Sequence, residues 1–275
     1  MFLRSFLVFL VPWWFNAAAH AQTAEKPEAA AKEAPKPDAP PPQNVGGLDP
    51  TPDAGTISGI IRFEGTPPPR EPIREVGGNA YCHEQHQGGE PLQEAWVFGK
   101  NGDAVTVGNV LVHVSKGLQD RTFKPPERPV LLDQSGCVYR PHVVALMAGQ
   151  PLEIRNSDAT LHNVMANARK NVGFNEGMST KGGVLRKVFP LPELKIEFKC
   201  FMHPWMNARV HVLAHPYFAV TRDDGAFTLR GLPPGEYEVA VVQESSLLQA
   251  DPARIPVKVA AGETKKVDFT YRAPR

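Results

Sequence analysis

The chain has 275 residues with a formal net charge of +1, and 42% of the residues are hydrophobic. This hydrophobic fraction is enough for a core and excludes wholesale disorder, and the length suggests one or two domains. The near-zero charge argues against a nucleic-acid partner, while 28 prolines and 23 glycines among short apolar runs argue against a helical bundle.

The first 21 residues have the pattern of a cleaved secretory signal. Arg4 supplies a basic start, residues 5–15 are almost wholly apolar, and Ala19-His20-Ala21 offers a small-residue cleavage site. The apolar stretch is short for a bilayer span. We therefore expect a periplasmic or secreted protein with no stable membrane insertion after cleavage, in a compartment where disulfides persist.

Residues 22–54 are rich in Ala, Pro, Lys and Glu and have no apolar period. Such a segment cannot bury enough surface to offset its ordering entropy, so we expect a disordered linker. It is either a tether for the globular part or a tail without a role.

From Gly55 onward the apolar residues alternate with a period of two, which predicts β-strands. Short runs bounded by Gly, Pro, Asn or Asp recur along the chain, and no helical stripe exceeds two turns. We expect an all-β protein of two sandwiches, with a first module over residues 55–214 and a small second module over residues 215–273. The first module includes an N-terminal β extension, residues 55–104.

The second module has a sequence pattern of its own. Residues 223–237 read D-x-G-x-F-x-L-x-x-L-P-P-G-x-Y, from Asp223 to Tyr237. This pattern resembles the carboxypeptidase regulatory-like (transthyretin-like) domains. The resemblance implies a small transthyretin-like or Ig-like β-sandwich, and a role in adhesion or scaffolding rather than chemistry.

The residues that carry chemistry lie in Cys200-Phe201-Met202-His203-Pro204-Trp205-Met206. Cys200, His203 and Met206 recur every third residue between two predicted strands, so one ion could be wrapped by all three. His162 stands upstream in a second polar segment and offers a fourth donor. A thiolate, two imidazoles and a thioether together select copper and are typical of a blue-copper site. A lone Cys or Met on a strand usually belongs to the core, but the four residues together favour a metal site.

The C-x₂-H-x₂-M loop and the upstream N-x-D-x-x-x-H-N-V segment resemble the cupredoxins, in particular plastocyanin and amicyanin. The resemblance covers about residues 105–214 and implies a Greek-key β-sandwich that holds one type-1 copper ion. It implies equatorial ligands at His162, Cys200 and His203 and an axial ligand at Met206. It also implies that Asn163 gives its backbone N–H to the thiolate and braces the ligand loop with its side chain.

A redox partner is expected to dock transiently around His203 and Trp205. His203 would expose one imidazole edge on the short loop, within an apolar patch of Met202, Pro204 and Trp205. Trp205 could equally pack between strands.

Cys82 and Cys137 are the remaining cysteines. In an oxidising compartment a disulfide between them is favoured, and it would clamp the N-terminal extension to the sandwich. The alternative is a second metal site with the neighbouring histidines, which are His83, His86 and His142. The other histidines lie among apolar residues and are expected to be satisfied imidazoles of the core or surface; they are His113, His211 and His215.

These features together predict an exported blue-copper protein that transfers one electron between partners and is not an enzyme. Two alternatives remain open. One is a copper-free sandwich for adhesion or carbohydrate binding, and the other is periplasmic copper storage or delivery.

Overall fold

The computed structural model describes residues 53–86, 89–119, 121–245 and 248–273. The predicted signal sequence, and the predicted linker apart from its last two residues, lie outside these ranges. The described chain is all-β, as predicted, with a 3-10 helix at Arg74–Gly78 and one short α-helix, α1, at Ala80–Gln85. None of the described helices has the length and apolar character to cross a bilayer.

Nine strands form two sheets around one core, and we call them the site sandwich. One sheet has the order β10-β9-β12-β13-β7 and the other β11-β8-β5-β6. The strands are β5 Val130–Gln134, β6 Tyr139–Arg140, β7 Val143–Met147, β8 Pro151–Asn156, β9 His162–Asn167, β10 Phe174–Met178, β11 Val184–Val188, β12 Glu193–Lys199 and β13 Asn207–Leu213. Side chains from both sheets meet in the core, including Leu132, Ile154, Phe198 and Val210, all fully buried.

The remaining strands form a second pair of sheets, which we call the flanking sandwich. Its larger sheet contains the path β17-β20-β1-β3-β2, with β15 and β19 also paired to β1, and its smaller sheet has the order β14-β4-β16-β18. The strands are β1 Gly55–Glu64, β2 Val97–Asn101, β3 Ala104–Gly108, β4 Leu111–Lys116, β14 Phe218–Val220, β15 Ala226–Leu232, β16 Gly235–Val242, β17 Gln249–Ala250, β18 Arg254–Val259, β19 Thr264–Lys266 and β20 Phe269–Arg272.

The pairing of β1 corrects the predicted division of the chain. β1 pairs antiparallel with β15 and parallel with β20, and β4 pairs antiparallel with β14 and β16. Residues 55–64 and 111–116 therefore belong to the flanking sandwich, whereas the sequence predicted them to be part of the first module, residues 55–214. The prediction was wrong because a period of two predicts a strand and its buried face but not the strand it pairs with.

Buried side chains link the two sandwiches. Leu111 and Phe218 of the flanking sandwich pack with Met147 and Leu213 of the site sandwich in a small apolar cluster. Near this cluster, the Glu244 carboxylate accepts a hydrogen bond from His142 Nε2 at 2.8 Å. Met147 lies on β7 and Leu213 on β13, and these two strands pair in parallel. The flanking sandwich therefore contacts the same sheet that carries the candidate site.

Candidate metal centre

Cys200 and Met206 are held together by the backbone of the loop between β12 and β13. The Cys200 N–H donates to the Met206 carbonyl at 3.2 Å, and the Met206 N–H donates to the His203 carbonyl at 2.8 Å. The antiparallel ladder of β12 and β13 ends at the pair Lys199 and Asn207, immediately before this loop. The three-residue spacing thus corresponds to linked turns that hold all three side chains at one end of the sheet.

The two histidines and the cysteine converge on one point. His162, at the start of β9, places its Nδ1 2.9 Å from His203 Nδ1. The Cys200 Sγ lies 4.0 Å from His162 Nδ1 and 3.8 Å from His203 Nδ1. All three side chains are buried. Separations of this size are what ligand bonds of about 2 Å to a common ion require, so the donor set fits a metal.

Met206 belongs to the same loop and the same core cluster as Cys200. Its side chain is buried in the core cluster that also contains Cys200, and its backbone closes the loop described above. Its role as an axial ligand stays a prediction.

The environment of Cys200 favours the thiolate. Burial alone would raise the pKa of the thiol, but the contacts with His162 and His203 and the Asn163 N–H outweigh burial and lower the pKa to about 6. The pKa of His162 is raised: burial lowers it, but the hydrogen bond to Asp158 and the contact with Cys200 raise it more. Because thiolate is the metal-binding form of cysteine, this environment prepares Cys200 to act as a ligand.

Asn163 makes the two contacts that were expected of it. Its backbone N–H points at the Cys200 Sγ at 3.4 Å, and its side-chain Oδ1 accepts from the Phe201 N–H at 2.5 Å and the Met202 N–H at 3.3 Å. One residue therefore orients the thiolate and fixes the start of the loop to β9. Its influence on a bound metal stays a prediction.

Asp158 orients His162, a role that the sequence analysis missed. Its Oδ2 accepts from His162 Nε2 at 2.9 Å, so His162 Nδ1 is left facing Cys200. The same carboxylate accepts the backbone N–H groups of Gly136 and Cys137, both at 2.8 Å. The i, i+4 spacing of Asp158 and His162 was visible in the sequence, but it identifies no partner without the turn that brings the two side chains together.

The expected exposure of His203 is wrong. The residue is only 2% exposed, because the segment that leads into α1 covers the outer edge of its ring. Asn79, at the start of α1, places its Nδ2 3.3 Å from His203 Nε2. The disulfide between Cys82 and Cys137 ties α1 to the site sandwich, and both sulfurs lie close to His203.

Trp205 packs rather than projecting from the surface. Its ring is half-buried, its centroid lies 5.1 Å from that of His203, and its Nε1 donates to the Cys137 carbonyl at 2.9 Å. The exposed apolar side chains of the loop are Phe201, at 60%, Met202, at 53%, and Pro204. Met202 and Pro204 of the predicted patch are thus exposed, whereas His203 is buried and Trp205 is half-buried.

The disulfide is confirmed, so the alternative of a second metal site at these cysteines is wrong. The nearby histidines have other partners: His86 Nε2 contacts the Gly136 carbonyl at 2.8 Å, and His142 pairs with Glu244. Three further histidines lie where the two sandwiches meet and are partly or wholly buried, in agreement with their expected structural role: His113, His211 and His215.

Two further residues near the site gave no signal in the sequence. Tyr139 is buried and its hydroxyl donates to the Lys199 carbonyl at 3.2 Å, directly before Cys200. Burial, and secondarily the Cys200 charge, raises the pKa of Tyr139, so the hydroxyl remains a neutral donor. Asn79 is the other, and it reaches the site from 124 residues away along the chain.

No family model matches the chain, and no curated protein matches it. Similar solved structures include the copper-containing nitrite reductase of Thermus scotoductus SA-01, with 19% identity, a TM-score of 0.29, and coverage of 35% of this chain and 24% of the reductase. A purple cupredoxin of Nitrosopumilus maritimus has 19% identity, a TM-score of 0.26, and coverage of 30% of this chain and 97% of its own. A reduced single-site mutant of amicyanin has 18% identity, a TM-score of 0.29, and coverage of 37% and 97%. The solved structures similar to this chain thus include cupredoxins.

Proposed function

We propose that this chain is an exported type-1 copper protein that transfers one electron between redox partners. The observation that carries the proposal is the convergence of two imidazole Nδ1 atoms on one buried thiol, within 4.0 Å of its sulfur. Copper in a ligand set of this kind supplies a one-electron couple. Zinc is a weaker candidate, because the fourth donor at hand is a thioether, which zinc rarely uses.

The residues around the donors have the roles that such a site needs. Asp158 keeps His162 Nδ1 directed inward, and the Asn163 N–H stabilises the thiolate form of Cys200. Met206 would approach as the axial ligand and set the reduction potential. The buried surroundings keep water from the donors, which limits their rearrangement when the charge of the site changes.

Export is supported by the disulfide between Cys82 and Cys137, because disulfides persist outside the reducing cytosol. The predicted signal sequence is consistent with this location. For a redox partner, we propose contact at the exposed side chains of Phe201 and Met202, which directly follow Cys200.

Copper binding to the purified metal-free protein tests the proposal. We expect one equivalent of Cu(II) to produce an intense visible charge-transfer band that Cys200→Ser abolishes, because a hydroxyl cannot replace the thiolate donor. Met206→Gln should retain the copper and change its potential. His83→Ala, at an exposed position on α1, is the matched control and should leave the band unchanged. A folded protein that develops no band would contradict the proposal and favour the copper-free adhesion module.

Copper storage or delivery is the second candidate, and the burial of His203 favours it. A covered imidazole edge slows exchange with partners, which suits a protein that retains its ion. The two functions differ in their kinetics. A carrier cycles between Cu(I) and Cu(II) with small redox reagents without losing copper, whereas a storage protein releases copper to a chelator and does not cycle.

A further inference from the structure

Two loops meet at the end of the site sandwich opposite the candidate metal centre. One connects β9 to β10 and the other connects β11 to β12. Asn171 in the first loop donates from its Nδ2 to the Leu191 carbonyl in the second at 2.8 Å, and its Oδ1 accepts from the Leu191 N–H at 2.9 Å. His162 begins β9 and Asn167 ends it. At about 3.3 Å per residue, the loops therefore begin roughly 17 Å from the metal centre.

Exposed apolar side chains are grouped on these two loops and on the strand ends beside them. We call the group the distal patch, and its members are Val172, Val188, Leu191 and Leu194. Val172 is 89% exposed, and even the least exposed member, Leu194, is 40% exposed. Single exposed apolar residues are common on protein surfaces, but a group of them on two joined loops indicates a contact surface.

The backbone of the two loops has its polar groups paired within the protein. The Glu193 carboxylate is buried and accepts from the three consecutive N–H groups of residues 169–171. The N–H and the carbonyl of Leu191 are both bonded to the Asn171 side chain, and the prolines on either side of Leu191 have no N–H. Because these groups do not depend on water, the end of the sandwich can lose its hydration at low cost, as contact with lipid requires.

The exposed charges around the distal patch are positive. Arg169, Lys170 and Lys195 are exposed, and none of the three forms an ion pair with another residue that the structure describes. The two loops and the first three residues of β12 contain one acid, Glu193, and its carboxylate is directed inward to the backbone. The apolar side chains are thus flanked by three cations that are free to meet an anionic surface.

We propose that the distal patch attaches this protein reversibly to an anionic membrane surface. The apolar side chains enter the lipid interface, and the three cations meet the lipid phosphates. A second copy of this chain fits the patch less well, because a symmetric contact would bring the same three cations of both copies together. Attachment by this end turns the candidate metal centre away from the membrane, toward a soluble partner. The proposal does not require a bound metal.

Co-sedimentation with lipid vesicles tests the proposal on the purified protein after removal of the predicted signal sequence. We expect vesicles of phosphatidylcholine mixed with phosphatidylglycerol to bind the protein at least about tenfold more tightly than vesicles of phosphatidylcholine alone. High salt should release the protein, because salt screens the attraction between exposed charges.

Two exposed valines of β11 provide a matched pair of variants. Val188 lies at the end of the strand beside the loops and is 55% exposed, and Val184 lies at the other end and is 50% exposed. Val188→Ser should weaken vesicle binding about fivefold, because it removes apolar surface that leaves water on binding, whereas Val184→Ser should bind as wild type does. Lys170→Gln should also weaken binding about fivefold, and Lys181→Gln, exposed in the turn before β11, is its control.

The results that would overturn the proposal are specific. They are no vesicle binding, equal binding to both kinds of vesicle, and equal binding by Val188→Ser and Val184→Ser. A dimer that Val188→Ser dissociates, without vesicle binding, would assign the distal patch to a second copy of the chain. Each of these results leaves the proposed copper function intact, because the visible charge-transfer band tests that function separately.

Discussion

Asp158 is expected to be one of the most costly residues to remove from the site sandwich, even without metal. The carboxylate is buried and accepts three hydrogen bonds, from the N–H groups of Gly136 and Cys137 and from His162 Nε2. Each buried donor left without an acceptor costs about 1–3 kcal/mol. Allowing for partial relaxation, we expect Asp158→Ala to lower the free energy of unfolding by about 3–5 kcal/mol.

Asp158→Asn refines the prediction. Its one oxygen can occupy the position of Oδ2, which serves Cys137 and His162, so only the Gly136 N–H loses its acceptor. We expect a loss of about 1–2 kcal/mol for this variant. Urea denaturation of the metal-free protein at pH 7 measures both values. Glu127→Ala, at a side chain that is 89% exposed, is the control and should change stability by less than about 0.5 kcal/mol. A loss below about 1 kcal/mol for Asp158→Ala would refute the reasoning.

The remaining predictions concern the flanking sandwich and its contact with the site sandwich. Burial, and secondarily the neighbouring His113, lowers the pKa of His211 to about 3, so as pH falls the unfolded chain binds a proton at this residue before the folded chain does. The free energy of unfolding should therefore decrease below about pH 6.5, by about 2 kcal/mol at pH 5 for this group. In urea denaturation at a series of pH values, His211→Gln should reduce this dependence of the unfolding free energy on pH. A chain that ends at residue 214 loses the partner strands of β1 and β4 and should aggregate or unfold; a soluble product with an unchanged Tm would contradict the observed pairing. Gly59→Ala should also destabilise the flanking sandwich by several kcal/mol, because an added Cβ would lie 1.7 Å from the Val267 carbonyl oxygen; a Tm equal to that of wild type would count against this packing.

What could be predicted from the sequence is what depends on neighbours along the chain. β7 spans Val143–Met147, five consecutive apolar residues, and such a short apolar run predicts a buried strand. The spacing of Cys200, His203 and Met206 indicated one loop because the turns that close it join residues at most six apart. His162 was identified from its own segment, where the polar residues interrupt the strand pattern.

What could not be predicted depends on distant contacts. The alternation of Ile57 and Ile61 marks a buried face, but it does not indicate that β15 and β20, more than 160 residues later, cover β1. For the same reason the burial of His203 was missed: its outer nitrogen meets Asn79, and no local pattern connects those two residues. The exposure of His203 to solvent therefore depends on the packing of Asn79 and α1 against the site, and not on the ligand loop alone.

The most direct test of the central claim is a crystal structure of the copper-loaded protein with anomalous diffraction measured at the copper edge. We predict one strong peak between His162 Nδ1, His203 Nδ1 and the Cys200 Sγ, within ligand-bond distance of all three atoms. A copper peak elsewhere, such as at the exposed His83, with His162, His203 and Cys200 still in contact with one another and no ion between them, would contradict the claim.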